Sequence, residues 1–309
     1  MSSSSGSEMA TPFHAGELDI QERLGVRERV HSYAPRFIRD HMTDRDRKFF
    51  GQLPHLVVGS VDRAGRPWAS MMVGRPGFIS TPDINILSVT ARPLFGDPLI
   101  ENIMDKAPMG FLGIEFHSRR RVRLNGKISS IGADGFQIAI DQAFGNCPQY
   151  IQKRDFNFSD DTDHAQTPPS VIRSWKLGQA ARSFIEGADT FFITSVFSED
   201  TSIRSHGVDV SHRGGAAGFV RVVDEQTLSF PDYSGNNHFN TLGNILLNPV
   251  AGLLFPDFET GDMLYITGGA GIIWDGDDRH VRITIENVIR VERSLPLTLK
   301  VTDQISSYK

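Results

Sequence analysis

The feature that most limits how this chain can fold is an internal repeat at a long and nearly constant spacing. Gly59-Ser60-Val61 closes a β-rich run, and Thr194-Ser195-Val196 closes another 135 positions later. Gly77-Phe78-Ile79 returns as Gly218-Phe219-Val220 at a spacing of 141, and Asn102-Ile103 returns as Asn244-Ile245 at 142. The 142 spacing then holds for Gly110-Phe111-Leu112 against Gly252-Leu253-Leu254, and for Arg121–Gly126 against Met263–Gly268. A spacing that grows slightly and then holds is the mark of a duplicated domain with one longer loop. It predicts that residues 43–130 and 177–272 share a fold and pack together. A site at their seam can keep its function in one copy while the other diverges.

The chain is long enough for this, since 309 residues allow two cores of ordinary size. A net charge of −5 gives no electrostatic reason to expect nucleic acid or an acidic membrane as partner. The single cysteine, Cys147, leaves no internal disulfide framework and fits a reducing compartment. No run reaches the length of a membrane span. The serine-rich start has neither a basic region nor an apolar one, so it reads as a tail rather than a leader. These features place the protein in the cytoplasm.

Each copy is expected to open with a helix. Thr43 is a natural N-cap for residues 44–53, with acids in the first turn. Ser170 is expected to cap a second helix over residues 171–186. Strands follow at Leu56–Val61 and Phe191–Val196. Asp62–Pro67 reads as a hairpin turn, and the longer Phe197–His206 connection accounts for most of the drift in spacing. Short strands with only one or two helices per copy indicate a small antiparallel barrel rather than a βαβ fold. The acidic, proline-ended segment 155–169 has a linker composition.

The densest polar clusters lie in the second copy. Ser211-His212-Arg213-Gly214-Gly215 offers a planar cation and glycines that permit close backbone approach. Tyr233-Ser234 and Asn236-Asn237-His238 lead to Asn240-Thr241 at the start of a short helix, where backbone N–H groups favour an anion. The corresponding helix of the first copy starts near Asp97-Pro98, and its carboxylate would repel a phosphate. Gly74-Arg75-Pro76-Gly77 reads as the first-copy counterpart of the His212–Gly215 turn. Arg213 could instead simply anchor that turn on an acid, Asp209 or Asp232. Arg119, Arg121 and Arg123 alternate, so they read either as the lining of a phosphate site or as a charged edge strand. Cys147 reads as a buried residue or as a thiol beside a redox group. His206, Asp209 and His212 are not expected to bind metal. On a strand rising ~3.3 Å per residue the two histidines lie roughly 20 Å apart, with Asp209 on the opposite face. Thr267-Gly268-Gly269-Ala270-Gly271 reads as a strand end or bulge.

Several segments together resemble the pyridoxamine 5'-phosphate oxidase-like, FMN-binding split-barrel superfamily, and within it proteins built from two such barrels. They are Gly65–Ser70, Phe144–Ile151, Gly207–Gly215, Asp232–Asn244 and Phe255–Asp262. The resemblance implies two tandem split β-barrels forming an intrachain pseudo-dimer. The expected boundaries are an N-terminal arm over 1–42, barrels over 43–154 and 170–309, and a linker over 155–169. It also implies FMN as cofactor, with FAD or a deazaflavin as alternatives. The cofactor would be held by Ser211, His212, Arg213, Gly214, Gly215, Tyr233, Ser234, Asn236, Asn237, His238, Asn240 and Thr241. The activity implied is that of a flavin-dependent oxidoreductase served by NAD(P)H or a reductase; a flavin carrier or sensor, or a cofactor-free scaffold, is the alternative. A homodimer of the pseudo-dimer is also open. The chain lacks an Arg-Leu-x-Pro-type C-terminal segment, and an Asn-rich turn stands in place of a Ser-x-Lys-like phosphate motif. Both departures argue against vitamin B6 as substrate.

Overall fold

The computed structural model describes residues 11–159, 169–200 and 202–303. The serine-rich start and most of the segment read as a linker (160–168) lie outside the described residues. Two helices come first, α1 (Ala15–Arg23) and α2 (Arg27–Phe37), followed by α3 (Asp44–Gln52). The Thr43 hydroxyl accepts from Asp46 N while the Asp46 carboxylate accepts from Thr43 N, so α3 begins with the expected cap in reciprocal form. The first sheet contains β1 (His55–Val61), β2 (Pro67–Val73), β3 (Ile79–Asp83), β4 (Ile86–Val89), β5 (Pro108–Glu115), β6 (Arg120–Gly132) and β7 (Gly135–Asn146), with the short helix α4 (Leu99–Asn102) before β5. Next come β8 (Lys153–Phe158), β9 (Val171–Ser174) and α5 (Gln179–Gly187). The second sheet contains β10 (Thr190–Phe197), β11 (Gly207–Gly214), β12 (Arg221–Val222), β13 (Thr227–Pro231), β14 (Val250–Pro256), β15 (Met263–Asp275) and β16 (Asp278–Val291), with α6 (Asn240–Leu247) before β14. Strand β17 (Leu297–Asp303) pairs with β8.

The protein is mainly β, and its two large sheets have one topology. The strand order β2-β1-β5-β6-β7-β4-β3 in the first matches β11-β10-β14-β15-β16-β13-β12 in the second, where β9 also joins β16. Registers agree as well. Val58 pairs with Ser70 and Phe111, as Ile193 pairs with Ser211 and Leu253. The bulge at Asn125/Gly126 reappears at Thr267/Gly268, inside the glycine-rich run read as a bulge.

The apolar residues sort by strand face. In β1, Leu56 and Val58 enter the first copy's core while Val57 faces the seam; in β10, Phe191 and Ile193 enter the second core while Phe192 faces the seam. Both faces of these strands are covered, which is why they read as continuous apolar runs. Burying one such side chain stabilises the fold by about 1.5–3 kcal/mol. The sheets meet through main chain. A Cβ on Gly110 would stand 2.5 Å from Val208 O, and one on Gly252 would collide with Pro67 O, the equivalent contact from the other side.

Two local expectations fail. Residues 171–174 form β9 on the edge of β16 rather than the start of a helix, and α5 begins only after Gly178. The β-branched pair Val171-Ile172 gains a ladder there that a solvent-exposed helix would not give it. Residues 155–158, read as linker, belong to β8, which β17 holds in register. No helix among the described residues is long and apolar enough to cross a membrane.

Candidate functional site

Position equivalence along the matched strands defines two related places at the seam, and they have different fates. The first lies where β6 of the first copy meets β11 and α6 of the second. Arg123, 2% exposed, reaches out of β6. Its Nη1 donates to Asp209 Oδ1 (3.1 Å) and Asn240 Oδ1 (2.9 Å), and its Nη2 donates to Ser211 Oγ. Asp209 also accepts from Asn125 (2.8 Å) and Asn244 (2.9 Å), and Ser211 Oγ lies 3.1 Å from Thr241 Oγ1. Two residues before Arg123 on the same face, Arg121 donates to the carbonyls of Cys147 and Gln149 and to His212 Nδ1 (3.4 Å). Arg213 pairs with Asp232 (3.2 Å), which Arg279 shares (3.2 Å). Arg213 therefore does anchor the turn, and the acid is Asp232.

These groups open onto a cleft of about 830 Å³, the solvent space at its mouth included. Its walls are the 146–150 loop after β7 and the Asn-rich turn before α6. Tyr150 and Tyr233 stack across it at 5.1 Å, and the Tyr150 hydroxyl donates to Ser234 O (2.9 Å). The turn needs two left-handed residues, Asn237 (φ 60°) and the bulky Phe239 (φ 61°), before α6 can start. No side chain caps α6, so its first-turn N–H groups stay available beside Thr241.

The electrostatics favour an anion. Three guanidiniums, Arg121, Arg123 and Arg213, meet two carboxylates, Asp209 and Asp232, and the second is shared. Burial, followed by the neighbouring Arg123 and Arg213 charges, pushes Arg121 down to about 9, which still leaves it cationic at neutral pH. Burial and the charges of Arg121, Arg154 and Arg213 hold His212 well below the usual imidazole range, so the ring is neutral. Because Nδ1 accepts from Arg121, the proton of that neutral ring sits on Nε2. That Nε2, together with the Nε atoms of Arg121, Arg123 and Arg213, is a buried donor with no partner in the structure. A buried donor left without a partner is costly.

Of the residues expected to hold a cofactor, Ser211, His212, Arg213, Gly214, Tyr233, Ser234, Asn236, Asn237, Asn240 and Thr241 line this cleft. The other two sit behind it. Gly215 leaves room for the Phe219 ring, and a Cβ on Gly214 would collide with Tyr150 O, so both glycines serve close packing. His238 is buried among Phe13, Tyr33, Phe37 and Phe144. Cys147 is half-buried on the cleft wall. Of the alternating arginines, Arg121 and Arg123 line the cleft, while Arg119 turns away to Ile151 O (2.9 Å). His206 accepts from Asp200 N, away from Asp209. Among the described residues no group of three metal-ligating side chains gathers anywhere. The pairing ladders also correct the counterpart of the His212–Gly215 turn. Gly74 stands where Gly215 does, each packed on a phenylalanine ring, so Met71 and Met72 are the equivalents of His212 and Arg213. Arg75 is no counterpart and lies over the Phe158 ring.

The second place, where β15 meets β2 and α4, is closed. Tyr265 occupies the position of Arg123, and Met263 that of Arg121. Ser70, the equivalent of Ser211, donates to Asp97 Oδ1 (2.6 Å), Tyr265 donates to Asp97 Oδ2 (3.2 Å), and Leu99 N donates to Asp97 Oδ1 (2.8 Å). The carboxylate thus sits just before α4 and takes its first N–H, although the N-cap residue, Pro98, makes no side-chain cap bond. Burial pushes the Asp97 carboxyl up to about 6, against these hydrogen bonds.

Fold and site together define a mainly β protein of two matching sheets with a cleft at their seam lined by Arg121, Arg123 and Arg213. No family model and no curated protein matches the chain. Among solved structures it is similar to a histidine-to-alanine variant of HupZ from Group A Streptococcus, at 14% identity over 37% of this chain and 98% of that one, with a TM-score of 0.29. It is also similar to a candidate pyridoxamine 5'-phosphate oxidase from Corynebacterium glutamicum, at 14% identity over 41% of this chain and 96% of that one, with a TM-score of 0.26.

Proposed function

We propose that the chain is a pair of tandem split β-barrels, residues 43–154 and 170–309, forming an intrachain pseudo-dimer that binds a flavin nucleotide, FMN, in the seam cleft. The observation that carries this reading is the set of unmet buried donors on Arg121, Arg123, Arg213 and His212, all around one cleft walled by stacked tyrosines. A phosphate-bearing planar heterocycle answers both features. Its phosphate suits the uncapped start of α6 with Thr241 and the arginines, and its ring suits the side where His212 Nε2 donates and Tyr150 and Tyr233 exclude water. When bound, the flavin supplies the electron transfer. The chain binds and orients it, and permanent cations beside it favour its reduced, anionic form. On this reading the electron donor is NAD(P)H or a partner reductase in the cytoplasm.

The test is an absorption spectrum of the purified protein and a titration with FMN, FAD and riboflavin. Saturable FMN binding at one site per chain, with riboflavin much weaker, supports the proposal. Equal binding of riboflavin and FMN, or none of either, refutes it. Reduction of the bound flavin by NAD(P)H, alone or with a reductase, then separates an oxidoreductase from a carrier.

A further inference from the structure

The helices that precede both repeats lie on only one of the two seam positions. Strand β6 and helix α6 come from different copies, and α1 and α2 belong to neither, yet four side-chain hydrogen bonds join residues 14–33 to the turn and helix that form the cleft wall, while Arg23 of α1 lies over Trp274. Glu17 accepts from Asn240 Nδ2 through one carboxyl oxygen and from His14 N (2.9 Å) through the other. His14 Nε2 meets Asn244 Oδ1 at 2.8 Å. Gln21 donates to His238 O (3.3 Å), and the Tyr33 hydroxyl donates to Asn236 O (2.9 Å). A Cβ on Gly16 would collide with Gly243 O, so α1 and α6 touch main chain to main chain. Phe13, Tyr33 and Phe37 close over His238.

Asn240 is the pivot. Its carbonyl is held by Arg123 and its amide by Glu17, so neither end of the side chain is free to turn onto the N–H groups of α6. At the closed position Asp97, two residues before α4, takes the N–H of Leu99 itself. Burial, then the Asp209 charge, raises the Glu17 carboxyl well above its usual range. A carboxyl so held adds little negative charge to a cleft suited to an anion.

We propose that Glu17 and Tyr33, outside both repeats, are positioning residues of the cleft: they hold Asn240 and the 236–239 turn so that α6 keeps an uncapped, ligand-facing start. The affinity consequence rests on the flavin reading, while the positioning itself does not. By linkage, ligand binding and docking of these helices reinforce each other by the same factor.

The experiment compares the full chain with Tyr33→Phe and Glu17→Ala, using amide hydrogen exchange without ligand, thermal melting and FMN titration. Tyr33→Phe removes one exposed hydrogen bond and leaves the fold intact. Expected are faster exchange confined to 234–244, unchanged exchange in β5 and β14, an unchanged melting temperature, and FMN binding weakened about fivefold. Glu17→Ala is expected to extend the same pattern, with a larger loss. FMN added to the wild type should in turn slow exchange in α1 and α2. Exchange over 234–244 equal to wild type in both variants overturns the proposal, and so does a loss spread evenly over the molecule. If the wild type binds no FMN, the flavin reading fails, and the ligand-free exchange comparison still decides the positioning role.

Discussion

The two seam positions share a strand order, a bulge and a reciprocal glycine contact, and differ in a handful of side chains. On the open side Arg121, Arg123, His212 and Arg213 stand where the closed side has Met263, Tyr265, Met71 and Met72. Methionine fills irregular space and needs no partner. Tyr265 supplies one hydroxyl, which Asp97 takes, so the closed position satisfies itself. The open position carries more donors than its own acceptors can meet. On otherwise equivalent backbones, that imbalance is what the proposed ligand would answer.

The harshest way to break the comparison is Arg123→Ala. It strands the buried Asp209, and an unpaired buried charge costs about 3–5 kcal/mol. Urea unfolding should show that loss together with the loss of FMN binding; a stability near wild type would mean that Asp209 is satisfied by its asparagines alone.

Next in size is the response to pH, in which Asp97 and His238 should act with opposite signs. Asp97 holds its proton up to about 6 when folded, against 3.8 otherwise. The folded state therefore binds more protons in that window, and stability falls as pH rises through it, by about 3 kcal/mol, then levels off. His238, kept neutral by burial and by Arg123 down to about 4 against the usual 6.5, acts the other way: stability is lost as pH falls below 6.5. Asp97→Asn should remove only the first slope in denaturation curves at pH 4, 5, 6 and 7. An unchanged curve would show that Asp97 titrates normally.

Exchanging side chains between the positions sharpens the contrast further. Arg213→Met and Arg121→Met are each expected to weaken FMN binding about tenfold by removing a charge-assisted donor, with little change in melting temperature. His212→Gln should leave binding within a few-fold and shift the flavin reduction potential. Unchanged affinity and potential in all three variants would remove this wall from the site. The smallest effect belongs to Tyr265→Phe, which deletes one buried hydroxyl, costs about 1 kcal/mol and leaves FMN affinity alone.

Much of this was legible in the chain because the repeat spacing is a register. Once Gly59 aligned with Thr194 and Gly110 with Gly252, the strand order of one half implied the other. The clusters Ser211–Gly214 and Tyr233–Thr241 were visible because they are contiguous and rich in turn residues. What escaped was long-range. Arg121 and Arg123 alternate on a strand of the other copy, so sequence alone left them between a phosphate site and a charged edge. Tyr150 is an unremarkable residue of a loop until it stacks on Tyr233. Glu17 lies more than two hundred residues from Asn240. The helix expected over 171–186 failed because the ladder offered by β16 is a tertiary partner that no local pattern announces. The mistaken match of Arg75 to Arg213 followed a shared arginine where the pairing of Val73 with His55 and Gly214 with Thr190 decides the alignment.

The contacts of Gly110 with Val208 O and of Gly252 with Pro67 O carry a last implication for how such a chain can change over time. The halves are joined there by peptide atoms, which every amino acid supplies in the same form. Substitutions elsewhere around the joint can therefore accumulate on one half without loosening its grip on the other. A chain built on such a joint can carry a filled position, with Tyr265 and the methionines, on one side and an open cleft on the other while each still finds its opposite wall in place.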